Sequence, residues 1–151
     1  MKKFQNLGGK MSKGNKRYKS NCEDWQSTTG GMFHPFYNDM MESEVGKILL
    51  GNSKAWQIYC VLVFKYQAKY ENGLCTSSNK DNISLTYKEA KEYMTKRTFI
   101  NSIDLIIQLG FIKIIKSGYA ERKCNIFGFS NMWSYYNTDQ FNIKDKWKRK
   151  L

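Results

Sequence analysis

Between residues 83 and 129 the chain carries a fixed succession of start and stop signals, and this stretch restricts its fold more tightly than any other. Thr86 and Glu89 have the spacing of a capping box, in which a hydroxyl residue and a later carboxylate each satisfy a backbone N–H near the other. Leu85 and Ala90 stand where a hydrophobic staple would close over it. These signals predict a helix over 87–94. Thr95 offers a second N-cap, and Phe99, Ser102, Ile103 and Ile106 follow at the helical intervals that gather them on one buried face. Gly110 ends that helix, because glycine enters the left-handed cap conformation without a Cβ clash. Residues 111–116 and 124–129 are rich in Ile and Phe, and Ser117-Gly118 opens a polar connection that carries Arg122 and Lys123. The pair reads as a β-hairpin with a basic tip. A short strand over 83–85 would pair with it.

Upstream, Asn38 or Asp39 starts an expected helix through Met41, Val45, Ile48 and Leu49 that Gly51 stops. The next helix, capped by Ser53 and expected to run to about Tyr70, is apolar nearly all round, from Trp56 through Val61, Leu62 and Phe64 to Tyr66. It is the natural centre of a core, and its surplus of apolar surface also fits a homodimer contact. Asn72-Gly73 reads as its end and 76–82 as a loop. After the hairpin, Met132, Trp133, Tyr135 and Tyr136 are expected to fold back on the body. The chain thus divides into a flexible basic arm (1–31), one packed domain (32–136) and a basic aromatic tail (137–151) with Phe141 and Trp147.

The net charge of +12 is unevenly distributed. Residues 1–19 contribute +7 and residues 144–151 contribute +4, so the remainder is close to neutral. Tail lysines bind any polyanion through counterion release and carry no sequence preference. Within the body, 95–123 has six basic residues against Asp104 and Glu121, whereas 20–94 has seven against nine acids. Lys96 and Arg97 fall in the first turn of the second helix, where the macrodipole disfavours a cation by up to about 1 kcal/mol. A phosphate brought there reverses the penalty. Lys96, Arg97, Ile100, Asn101, Asp104 and Gln108 share the outward face, a mixture suited to phosphates and base edges in a major groove.

This helix, turn, helix and hairpin outline is that of a winged helix, and the chain resembles small winged-helix proteins of bacterial plasmids, phages and integrated elements. Their plan is shared by the N-terminal domains of plasmid replication initiators. The resemblance is carried by Asn52-Ser53-Lys54-Ala55-Trp56 entering a long helix, Ile83-Ser84-Leu85-Thr86 opening the next, Thr98-Phe99 leading to Leu109-Gly110-Phe111-Ile112, and Trp133. It implies a mainly α fold with a small β-hairpin, a winged helix-turn-helix whose second helix enters the major groove and whose wing reaches the adjoining backbone. Carried onto this sequence, double-stranded DNA would meet Lys96, Arg97, Thr98 and Asn101 on the helix and Lys116, Arg122 and Lys123 on the wing. Such domains often dimerise through an N-terminal helix. Most replication initiators also carry a second domain, so a transcriptional regulator or a replication or maintenance accessory factor is the expectation here.

No catalytic pattern competes with that reading. The glycines form neither a P-loop nor a dinucleotide fingerprint, and no G-x-S-x-G or H-E-x-x-H occurs. Cys22, Cys60, Cys75 and Cys124 form no C-x-x-C pair and His34 is the only histidine, so no metal or other cofactor, no small-molecule substrate and no enzyme activity is expected. No apolar run is long enough to cross a membrane, and the first lysines are not followed by the apolar stretch of a signal peptide, so a cytoplasmic, nucleoid-associated protein is expected. The alternative from another class is a protein-interaction module on the same scaffold. It would dock a host or replisome partner through Trp25, Phe33, Phe36 and Tyr37 or the tail, and bind DNA only non-specifically.

Overall fold

The computed structural model describes residues 36–72, 74–118 and 123–143. The expected basic arm, His34, Arg122 at the hairpin tip and the lysines and Trp147 of 144–151 lie outside the described residues. Helices α1 (Asn38–Glu42), α2 (Glu44–Gly51) and α3 (Ser53–Lys65) come first, followed by strands β1 (Ala68–Glu71) and β2 (Leu74–Ser78). Then come β3 (Ile83–Ser84), α4 (Tyr87–Ala90), α5 (Lys96–Gln108), β4 (Ile112–Lys116), β5 (Ile126–Phe129) and a 3-10 turn (Met132–Tyr135). The fold is mainly helical with small antiparallel sheets. One sheet is the β1–β2 hairpin, and the other has the order β3-β5-β4.

The core forms where α3 packs on α5 and both meet the three-stranded sheet. Ile58 and Leu62 of α3, Ile106 and Ile107 of α5, Leu49 of α2, Phe111 and Ile112 are fully buried. Burying each such side chain contributes about 1.5–3 kcal/mol before chain entropy is counted. In the sheet, Ile83 and Ile114 both lie opposite Phe127, so the strand expected at 83–85 does pair with the hairpin. Tyr59 anchors an aromatic seam, with ring centroids 5.3 Å from Phe111 and 6.0 Å from Phe129. Burial pushes its phenol up to about 12.

Several boundaries differ from those read in the sequence. The single helix expected over 38–49 is two, because Ser43 leaves the helical conformation and caps α2, its hydroxyl accepting from the Gly46 N–H at 3.0 Å. The same hydroxyl donates to the Met40 carbonyl at 2.7 Å, and a Cβ on Gly46 would lie 2.0 Å from that carbonyl oxygen. Only glycine fits the break. Asn52, not Ser53, caps α3, with its side-chain oxygen accepting from the Ala55 N–H at 3.0 Å. The α4 helix stops at Ala90, and 91–94 form a turn that buries Met94.

The largest difference is at the end of α3. It stops at Lys65 instead of running to Tyr70, and the supposed loop 76–82 begins with β2. Asn72, at φ 51°, follows β1 and begins the turn into β2 where a helix stop was expected. Asn79 fastens the root of the hairpin: its amide donates to the Lys65 carbonyl at 2.8 Å, and its side-chain oxygen accepts from the Gln67 N–H at 2.7 Å. Both strands are otherwise exposed.

After β5 the chain does return to the body. Trp133 stacks on Phe111 with centroids 5.9 Å apart and planes at 14°, and Met132 and Tyr136 pack beside it, while Tyr135 stays 42% exposed. Phe141 meets Tyr136 edge-on at 5.2 Å and Ile143 is buried, so packing continues to residue 143.

Candidate nucleic-acid interface

The candidate face lies on α5, whose inward side is fixed first. Ser102, Ile103, Ile106 and Ile107 are buried, and Phe99 packs on Tyr87 of α4 at 6.1 Å between centroids. The start of the helix is capped by Thr95, whose hydroxyl accepts from the Thr98 N–H at 3.2 Å. Its end is set by Gly110 at φ 80°, where a Cβ would lie 2.7 Å from the Trp133 backbone nitrogen. The register of the outward face is therefore fixed at both ends and along its length. Arg97, Asn101, Asp104 and Gln108 follow one another at four, three and four residues on that face.

The capping box holds α4 in place as expected: the Thr86 N–H donates to the Glu89 carboxylate at 2.8 Å. The same carboxylate is ion-paired with Lys65 at the end of α3, and the Lys65 ammonium also donates to the Ser84 carbonyl at 2.9 Å. The bond from Lys65, then that from the Thr86 backbone, holds the Glu89 carboxyl down to about 2. Lys54 at the other end of α3 donates to the Tyr93 carbonyl at 3.0 Å, within the turn between α4 and α5. Two lysines of the core helix thus tie α3 to α4 and to the turn that follows it. Sequence reading passed over both, because a lysine inside a helix gives no signal of a partner 24 or 39 residues away.

Lys96, Arg97 and Asn101 are exposed together on one helix. Among the described residues neither Lys96 nor Arg97 has an ion pair or a side-chain hydrogen bond. Thr98 stands apart from them: it is half-buried, and its hydroxyl lies 2.9 Å from that of Thr95, within the cap. Lys116 at the end of β4 and Lys123 beyond the tip are both exposed. Lys123 donates its backbone N–H to the Gly118 carbonyl at 2.9 Å, and Gly118 donates to the Asn125 side chain at 3.0 Å, which closes the connection beyond the ends of β4 and β5. Arg122 lies outside the described residues. A further lysine of this region, Lys113, is paired with Asp81 at 3.1 Å.

Among the described residues no cluster of His, Cys, Asp or Glu is arranged to hold a metal ion, and no helix is long and apolar enough to cross a membrane. The cationic side chains on α5 and the hairpin are suited to phosphate oxygens, and Asn101 to the paired donor and acceptor edge of a base. In comparisons with known proteins, no family model, no curated protein and no solved structure matches the chain.

Proposed function

We propose that the chain is a winged helix-turn-helix protein that binds double-stranded DNA sequence-specifically, with α5 in the major groove and the β4–β5 hairpin as the wing. Its role in this reading is that of a transcriptional regulator or a replication or maintenance accessory factor of a bacterial mobile element, and it acts by binding, without catalysis or cofactor. The observation that supports it most is the outward face of α5. Lys96 and Arg97 sit exposed at the helix end least favourable to cations, on a helix whose other face is locked into the core. The resemblance of the helix and hairpin succession to plasmid and phage proteins supports the biological setting.

The test is selection of bound sites from a random duplex library at physiological salt, followed by titration of the selected site. Lys96→Ala with Arg97→Ala is expected to weaken that site by at least tenfold, since one base-edge contact is worth about 1–3 kcal/mol. Retention of full affinity by the double variant would end the reading. A protein-docking module is favoured by one observation, Tyr37 at 70% exposure on the N-terminal side of α1. Phe36, grouped with it in the sequence, instead packs on Trp56 at 5.0 Å between centroids. If the library yields no motif, docking becomes the better account.

A further inference from the structure

The β1–β2 hairpin is set apart from the rest of the fold. It is a two-stranded sheet, every strand residue except Ala68 is exposed, and neither strand contributes to the core. A hairpin with no buried face is marginal in water and gains stability from a third strand. The exposed edge of β1 can supply the place for one. The Gln67 carbonyl accepts from the Asn79 N–H at 3.0 Å, and the Lys69 carbonyl accepts from the Thr76 hydroxyl at 3.3 Å, so both face β2. Glu71 lies opposite Leu74 across the Asn72-Gly73 turn and also faces β2. By alternation, the N–H and C=O of Tyr70 face outward, on the edge that no strand among the described residues occupies.

The side chains of that edge complement themselves. Tyr70, 57% exposed, is flanked by Lys69 and Glu71, and among the described residues neither of these charges has an ion pair. An antiparallel pairing of β1 with a second β1 about a two-fold axis at Tyr70 lets the two Tyr70 residues exchange backbone hydrogen bonds. It also sets Lys69 of each copy against Glu71 of the other, as closely spaced cross-strand pairs. Charge selects this edge within the molecule. Two copies of a +12 chain repel, and 95–123 is basic, whereas 66–78 carries only Lys69 and Glu71 and is neutral. We propose that β1 is the contact through which two copies of this chain associate, forming a continuous four-stranded antiparallel sheet. The contact is independent of nucleic acid.

The test uses the full chain in sedimentation over a concentration series at about 0.15 M salt, where long-range repulsion is screened. A reversible monomer–dimer equilibrium is expected. Lys69→Glu or Glu71→Lys alone places like charges opposite each other at both ends of the contact, and each is expected to weaken association by roughly tenfold or more. An equimolar mixture of the two single variants restores opposite charges at both ends and should recover wild-type association as a mixed dimer. The double variant Lys69→Glu, Glu71→Lys should recover it alone. All these changes are on exposed residues, and unchanged circular dichroism and melting temperature at a dilution where every chain is monomeric verify the fold. A chain that stays monomeric, a dimer indifferent to both reversals, or a mixture that fails to recover would each overturn the proposal.

Discussion

Glu89 shows how one side chain serves two elements. It completes the cap of α4 and pairs with Lys65 of α3, so it joins the core helix to α4. Its folded-state value of about 2 lies below the ordinary 4.5, so its contribution to stability is complete above pH 4.5 and is lost as pH falls towards 2. The side chain is 42% exposed, and solvent screening limits that contribution to less than about 1 kcal/mol. Glu89→Gln should therefore lower the urea midpoint slightly at pH 7, and the gap from wild type should close between pH 4.5 and 2. A gap of constant size would show that the carboxylate charge is not what matters. The Thr86 and Glu89 cap was legible in the sequence because both halves of the signal lie three residues apart. The partner Lys65 was not, because nothing local encodes it.

At the scale of elements, legibility depended on whether a signal has one meaning or two. Thr95 and Gly110 bound α5 as expected, since a hydroxyl cap and a left-handed glycine are local devices. Asn72-Gly73 has two meanings, and local sequence does not choose between a helix stop and a hairpin turn. The choice falls to the pairing of 68–71 with 74–78 and to the Asn79 clamp at its root. The shared exposure of Lys96, Arg97 and Asn101 on α5 was similarly legible from periodicity, whereas Thr98 spends its hydroxyl in the cap. Gly110 gives the sharpest prediction for an element. Gly110→Ala must hold φ 80° and bring a Cβ to 2.7 Å from the Trp133 nitrogen, so it should cost more than about 1 kcal/mol. A lower melting temperature, with fluorescence reporting loosened packing around Trp133, is the expected readout. An unchanged melting temperature would mean that the turn can rearrange freely.

Across the whole molecule, the proposed function divides into two kinds of binding by charge and shape. The terminal segments 1–19 and 144–151 hold +11 of the net +12, while Lys96 and Arg97 of α5 and Lys116 and Lys123 of the β4–β5 hairpin are exposed beside the packed core. Removing residues 1–19 is expected to weaken binding to every duplex alike and to flatten the slope of log affinity against log salt. The ratio between a selected site and random DNA should stay the same. A fall in that ratio would assign sequence reading to the arm. The same frame sets an order of events during synthesis. Trp133 covers Phe111, Ile143 is buried, and Asn137 bonds Glu44 at 2.8 Å, so the surroundings of α5 are finished by residues made well after it. A nascent chain halted just past β5 would already carry α4, α5, β4 and β5, yet leave the Trp133 side of the Phe111 ring open to water. The body closes only once residues 133–143 are available, and a chain cut back to just past β5 should be a ready substrate for proteolysis.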